Sequence, residues 1–292
     1  METNSVTCNI CNTTNQLDAG CDTAKVASNV RQFQEEQFTV WRCTECSSLH
    51  SLEDIDYDYY YKDYVIHRQK MDCIARLLFS SRLHQLIRGG LLEHHAILDF
   101  GCGNGNFIHF LKEKGYVNAK GYDPFSSHFA DQSICAQKFD IVTSQDVIEH
   151  TPDPVNFLDE IVTLVRRPGG ILAIGTPDAE HINLHNHLDM VGQLHQPYHR
   201  HIIGAKKLIQ MLESRGFRID RFEQRSYVDT KLPFINSIFT FNYMASADGT
   251  LDSIFDPIKL NLIYRFPKLL FYGFFGYFLN QKKDIFIAAT AI

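Results

Sequence analysis

Apolar residues recur every three or four positions between residues 66 and 90: Ile66, Met71, Ile74, Leu77, Leu78, Leu83, Leu86 and Ile87, followed by Gly89-Gly90. That spacing gives a helix one buried face, and the paired glycines end it. The period then changes. Short apolar runs at 96–100, 119–122, 139–143, 170–175, 217–227 and 284–289 predict strands, and amphipathic stretches at 105–114, 154–165 and 205–214 predict helices. Strands alternating with helices of this length imply a mostly parallel sheet covered on both faces. Two stretches break the alternation and read as insertions: 177–203, rich in histidine, and 228–282, rich in aromatic residues. Upstream, residues 26–30 and 38–42 predict two short strands. The acidic, tyrosine-rich run from Glu53 to Tyr61 reads as a linker that docks its tyrosines on the next domain.

Charge narrows the partners. The net charge of the 292 residues is −6. Residues 1–60 hold three basic side chains (Lys25, Arg31, Arg42) against ten acidic ones, which makes that segment −7 by itself. A protein that grips a phosphate backbone shows the reverse, so nucleic acid is a disfavoured partner. No apolar run reaches the ~20 residues of a membrane-spanning helix. The start of the chain, Met1-Glu2-Thr3-Asn4-Ser5, lacks the basic-then-apolar order of a signal peptide. The expected location is the cytoplasm, where the eight cysteines would be thiols or metal ligands.

Four of those cysteines form two matched pairs, Cys8-x-x-Cys11 and Cys43-x-x-Cys46. Four soft thiolates suit a closed tetrahedral site, the geometry of structural zinc, and leave no open position for catalysis. Cys21 has no partner at suitable spacing, and Cys73 and Cys135 read as core residues.

The densest chemical signal is Ile97-Leu98-Asp99-Phe100-Gly101-Cys102-Gly103-Asn104-Gly105, an apolar strand running through a glycine turn into a helix. Glycines let the backbone turn sharply and come close to a ligand beside the helix N-terminus. Asp123 ends the second strand 18 residues after Gly105, where a doubly wound fold grips a ribose diol. Two further segments follow in order, 144–154 (SQDVIEHTPDP) and 166–177 (RRPGGILAIGTP). Together these motifs resemble the class I S-adenosylmethionine-dependent methyltransferases over about residues 70–226 and the final strand.

The resemblance implies a Rossmann-like α/β methyltransferase fold, with a seven-stranded, mostly parallel sheet and a small N-terminal zinc ribbon. The domains would be 1–60 for the ribbon and acidic linker and 61–292 for the methyltransferase domain with its two insertions. It implies that Asp99, Gly101, Cys102, Gly103 and Gly105 approach the methionine part of S-adenosylmethionine. Asp123 would hold the ribose, and Gln145 and Asp146 would lie near the cofactor. Cys102 would be a small filler of the turn. The stretch between Asp123 and Phe139 is short, so the third strand is expected to be abbreviated, and no carboxylate is assigned to the adenine.

Residues Tyr198-His199-Arg200-His201 resemble the Tyr-His-Glu-His stretch of sugar C-methyltransferases, which also carry an N-terminal module with two Cys-x-x-Cys pairs. Two features depart from that family: Arg200 stands where it has an acid, and its long additional C-terminal domain has no counterpart in these residues. The resemblance makes His199, His201 and Tyr198 acid/base candidates, with packing inside a lid as the plain alternative. Glu149-His150 occurs likewise in ubiquinone-pathway O-methyltransferases. There His150 is either a base or a brace for the loop ending in Pro154.

The run 269–279 carries no charge; Arg265 and Lys268 precede it and Lys282-Lys283 follow. Eleven such residues are too few to span a bilayer. They fit a buried helix pair or a homodimer contact first, and a helix lying in a membrane interface second. The reading as a whole is a methyltransferase acting on an oxygen or carbon of a small molecule: a sugar, a quinone-like ring or a lipid-linked acceptor. The competing readings are an RNA methyltransferase that holds RNA with its zinc ribbon, and a non-catalytic scaffold.

Overall fold

A computed structural model describes residues 5–17, 20–62, 64–279 and 281–292. Twelve strands run in chain order: β1 (Ser5–Thr7), β2 (Thr14–Gln16), β3 (Thr23–Ala27), β4 (Gln37–Arg42), β5 (Leu49–Ser51), β6 (Ile97–Phe100), β7 (Ala119–Tyr122), β8 (Ile141–Gln145), β9 (Ile171–Pro177), β10 (His201–Ile202), β11 (Phe217–Glu223) and β12 (Asp284–Ala291). The helices are α1 (Tyr57–Tyr61), α2 (Cys73–Arg88), α3 (Asn106–Glu113), α4 (Pro154–Leu164), α5 (His187–Val191), α6 (Ala205–Glu213), α7 (Ser237–Ala247), α8 (Leu260–Arg265) and α9 (Lys268–Phe275). The chain divides into two compact units. One gathers Lys70–Thr176, Ala205–Tyr227 and Asp284–Ile292; the other gathers Met1–Gln69, Pro177–Gly204 and Val228–Lys283. The two insertions thus group with the N-terminal segment, whereas the sequence reading places them in one domain over 61–292.

The first unit is a six-stranded sheet in the order β11-β12-β9-β8-β6-β7. The β9-β8-β6-β7 part is parallel, and β11 runs antiparallel to β12. All four residues of β6 are buried. Successive strand side chains point to opposite faces, so both faces are covered. Phe79, Leu83 and Leu86 of α2 and Phe107, Phe110 and Leu111 of α3 form one core with Ile97, Ile141 and Phe286. α4 begins on Asp153, whose carboxylate accepts from the Val155 and Asn156 amides, and has Pro154 in its first turn. It buries Phe157, Leu158 and Ile161, and Phe157 meets Phe100 edge-on with ring centres 5.5 Å apart.

The expected Rossmann-like α/β architecture holds here, with six strands in this sheet among the described residues where seven were expected. Between β7 and β8 the described residues form only a short 3-10 turn, Gln132–Ala136. The segment 123–138 is short and polar and offers no apolar run to bury in a sheet. The helix expected over 66–90 starts only at Cys73, where Asp72 caps it by accepting from the Ala75 amide; a separate 3-10 turn, Val65–Arg68, precedes it. Cys73 is exposed and Cys135 half-buried, so neither is a core residue. Cys73 opens α2 and Cys135 lies in the 3-10 turn Gln132–Ala136, and nothing packs fully over either.

The second unit contains the β1–β2 hairpin and an antiparallel sheet in the order β10-β5-β4-β3. Its apolar core joins Val26, Val40, Leu49 and Ile202 to Ala179, Ile182, Leu184 and Leu194. The tyrosine-rich linker is structured. Asp56 caps α1, and Tyr60, Tyr61 and Tyr64 pack around Phe33 and Tyr198 within the same unit. Leu158 is fully buried in the first unit. Leu158→Ala should therefore cost about 2–5 kcal/mol of stability. A urea midpoint lower than wild type with an unchanged slope is the expected result.

Candidate functional site

In the first unit the site is built at the carboxyl ends of the parallel strands. The turn after β6 holds Gly101, Gly103 and Gly105 at φ of 80°, 55° and 76°, left-handed values that favour glycine. A Cβ on Gly101 would stand 2.3 Å from Val147, and one on Gly105 would stand 2.3 Å from the Phe129 ring. At Gly103 a Cβ would meet nothing within 4 Å. The turn is thus packed at both ends and bare in the middle, which lets a ligand approach the backbone there. Asp123 is bound to this turn: its Oδ2 accepts from the Gly103 amide at 2.8 Å and its Oδ1 from the Phe125 amide at 2.9 Å. Each carboxylate oxygen retains a second lone pair, so the group is oriented and can still accept from a diol.

Asp99 is buried and its Oδ1 accepts from Arg82 Nη2 at 2.5 Å. The Arg82 guanidinium lies 3.9 Å from the centre of the Phe107 ring. Burial pushes the Asp99 carboxyl up, opposed by Arg82. Asp99 is therefore committed to a side chain of α2. Cys102 is buried under Gly121, and burial followed by the Asp99 charge raises its thiol, which leaves it inert. That agrees with a filler.

The end of β8 places Gln145 against Gly175 and Asp146 beside it, with Gln145 Nε2 donating to Asp146 Oδ1 at 2.9 Å. Asp146 has a left-handed φ of 55°. It keeps contact with solvent, yet protein surrounds it closely enough that loss of solvation is the largest influence and pushes its carboxyl up. The Tyr227 hydroxyl also donates to Asp146. Burial and then the Asp146 charge hold that phenol well above its usual range. Tyr227 is a site residue that sequence reasoning missed. The sequence reading ends a strand at Tyr227, whereas β11 stops at Glu223 and leaves Tyr227 in the turn that follows.

Glu149 is 1% exposed. Its Oε2 accepts from the Thr176 hydroxyl at 3.0 Å, and its Oε1 has no hydrogen-bond partner among the described residues. Burial, then the neighbouring Asp146 charge, raises its carboxyl well above the usual range. His150 follows it in the 3-10 turn Ile148–His150 and is half-buried.

The second unit separates the other acid/base candidates from one another. Tyr198 is completely buried, its hydroxyl donates to the Tyr60 carbonyl at 2.9 Å, and burial raises its phenol. It is a core residue and no base. His201 lies in β10, with Nδ1 3.1 Å from His50 Nδ1 and Nε2 3.2 Å from the Asn9 side chain. That corrects its expected role: both ring nitrogens are engaged beside the paired cysteines. Arg200 is buried, donating to the Ser51 hydroxyl at 2.8 Å and to the Glu53 carbonyl. His199 keeps chemistry open. Its Nδ1 donates to the Gln193 carbonyl at 2.5 Å, which puts the ring lone pair on Nε2. Burial lowers its pKa to about 4.

The four paired cysteines converge, with all four sulfurs within 4.8 Å of one another. Cys8 and Cys46 are 3.7 Å apart and Cys11 and Cys43 are 3.6 Å apart. Zinc–sulfur bonds of about 2.3 Å in a tetrahedron put sulfurs about 3.8 Å apart, so the donor set fits a zinc ion. The two loops are alike: Asn12 N donates to Cys8 O at 2.8 Å and Ser47 N to Cys43 O at 3.0 Å. Asn12 and Ser47 take left-handed φ of 61° and 59°. His50 Nε2 lies 3.2 Å from Cys8 Sγ, with Trp41 stacked on its ring at 4.4 Å. Cys21 is not part of the group; its thiol donates to the Arg42 carbonyl at 3.1 Å.

Comparison with known proteins adds a family to this geometry. A family model described as a methyltransferase domain matches residues 61–221. The ubiquinone biosynthesis O-methyltransferase of Aeromonas salmonicida (strain A449) is 30% identical over 43% of this chain and 55% of its own length. The protein of the same name from Actinobacillus pleuropneumoniae serotype 7 (strain AP76) is 23% identical over 43% of this chain and 58% of its own. The chain thus spans little more than half the length of these curated relatives. Among solved structures, an S-adenosylmethionine-dependent methyltransferase from Mesorhizobium loti is 15% identical, with a TM-score of 0.42 over 70% of this chain and 96% of that one.

Two outcomes follow from the geometry. Purified protein should carry about one zinc per chain by elemental analysis, and Cys43→Ser should lose it. Equal metal in both would refute the four-sulfur site. A folded His199 pKa near 4, below the ordinary ~6.5, means that the unfolded chain takes the proton first. Its contribution to stability is therefore intact above about pH 6.5 and lost as pH falls toward 4. His199→Gln should flatten that part of the acid limb in a pH series of denaturant melts.

Proposed function

Because the chain belongs to the methyltransferase-domain family, we propose that it transfers the methyl group of S-adenosylmethionine to an oxygen or carbon nucleophile of a small acceptor. One observation carries the reading: the glycine turn is bare at Gly103 while Asp123 is held against it with acceptor capacity to spare. Gly101 to Gly105 would face the methionine part of the cofactor and Asp123 its ribose, with Gln145 and Asp146 at the end of the next strand. When bound, that group supplies an activated methyl on a positive sulfur. The chain's task is to align the acceptor within about 3–3.5 Å of that methyl and to take its proton.

Two histidines suit the proton step, His150 in one unit and His199 in the other. His199 is the better tuned, since it is neutral at physiological pH and its tautomer is fixed by the Gln193 carbonyl. Arg82 and Asp99 act behind the site: they fix the strand end from which the turn departs. The relatives named as ubiquinone biosynthesis O-methyltransferases support a hydroxylated ring as acceptor. The zinc ribbon supports the sugar alternative through its resemblance to the C-methyltransferases. The acidic N-terminal segment disfavours RNA.

Calorimetry should show binding of S-adenosylhomocysteine that falls at least tenfold in Asp123→Ala. Labelled methyl should pass to members of a panel of catechols, quinols and nucleotide-sugars. His199→Ala should lower kcat about 10²–10⁴-fold with cofactor affinity kept, if His199 is the base. A wild-type chain that binds no cofactor would overturn the proposal. Loss on His150→Ala alone would move the base there.

A further inference from the structure

The aromatic insertion folds as the short helices α8 and α9 and a 3-10 turn, Gly276–Phe278. One side is anchored: Leu262 and Leu269 are buried with Tyr243 of α7. Asn236 also donates to the Tyr272 carbonyl at 3.1 Å. The reading of this stretch as a buried helix pair fails for the other side. α9 is apolar all round and buries only one of its faces. Phe271, Phe274, Phe275 and Phe278 remain 51–71% exposed, and Ile258 and Leu260, just before and at the start of α8, are equally bare. Exposed apolar patches of this kind mark binding surfaces, because burying them elsewhere would stabilise the protein.

Charge selects the partner. Residues 257–283 contain five lysines and arginines and no aspartate or glutamate, in a chain of net charge −6. Lys283 is turned inward to Asp189. Lys259, Arg265 and Lys268 are exposed and make no ion pair among the described residues. On α9, Lys268, Phe271 and Phe275 follow at i, i+3 and i+7 and share one stripe, and the two rings pack 5.2 Å apart. A second copy of this chain would set the same cations against themselves across a two-fold contact, which like-charge repulsion disfavours. An anionic bilayer answers both features. Its headgroups take the cations, and its acyl boundary takes aromatic rings from a helix too short to cross it.

We infer that residues 258–279 form a docking surface for anionic phospholipid bilayers, with the exposed phenylalanines in the headgroup–acyl boundary and Lys259, Arg265 and Lys268 at the headgroups. The inference does not depend on methyl transfer, and its test needs no cofactor.

The full chain is floated on vesicles of equal phosphatidylglycerol and phosphatidylcholine, and on phosphatidylcholine alone. The expected result is recovery with the anionic vesicles, falling at least tenfold on phosphatidylcholine and in 0.5 M salt. Phe274→Asp with Phe275→Asp should abolish flotation while circular dichroism and zinc content stay at wild-type values. Arg265→Gln with Lys268→Gln should reduce the partition coefficient about fivefold per charge removed. Absence of wild-type flotation would overturn the inference. So would equal binding to both vesicles, or a concentration-dependent dimer in sedimentation that the phenylalanine variant breaks; the last result would assign the face to a second copy.

Discussion

The buried ion pair between Arg82 and Asp99 is the interaction on which the candidate site depends. It ties the middle of α2 to the strand that launches the glycine turn, in a place where neither group can be satisfied by water. Such a pair adds little net stability, because desolvation offsets most of the attraction. Removing one partner is another matter, since it strands a charge. Position follows from that asymmetry. The strand end cannot shift without exposing the carboxylate, so the turn that follows has a fixed origin. The same guanidinium acts on Asp146 and Tyr227, lowering both against the effect of their burial. One cation thus favours the ionised forms of three acidic groups, Asp99, Asp146 and Tyr227, against the effect of their burial.

The cysteine cluster plays the corresponding part in the other unit. Its second sphere is built from His50, Asn15 and Ser48, each within reach of a sulfur. His50 is buried and its pKa is pushed down to about 3, so it faces the cluster as a neutral ring. Through His50 the cluster touches His201 and hence β10. The histidine-rich segment is therefore partly an arm of the cysteine-cluster module, which explains why His201 is occupied.

What the sequence made legible follows from how each feature is encoded. The strands at 97–100, 141–145 and 171–177 are largely buried on both faces, and each opens on an apolar pair that stands out in the sequence: Ile97-Leu98, Ile141-Val142 and Ile171-Leu172. The glycine turn and the Cys-x-x-Cys loops are local, and their spacing carries their geometry. Pairings distant in sequence were opaque. Nothing near Tyr198 says that Tyr60 and Tyr64 will close over it, and nothing near His201 says that His50 will meet it. Tyr227 was hidden for the same reason, since its partner Asp146 stands far earlier in the chain, just past the end of β8. The abbreviated third strand was visible as a missing apolar run, though its complete replacement by a 3-10 turn was not. The aromatic insertion misled because composition reports apolarity and not which face is covered.

The pairing of β5 with β10 also has a consequence for synthesis. Its partners His50 and His201 stand 151 positions apart. A chain made from its N-terminus presents both cysteine loops and three strands of that sheet long before the fourth strand exists. Closing so long a loop is slow. In the interval β5 is an open edge, with amides and carbonyls ready to pair with a neighbouring chain. An ion captured early by the four sulfurs would hold the β4–β5 corner in shape through that wait. Metal supply during translation would then govern how much of the protein escapes aggregation, separately from any effect on the finished fold.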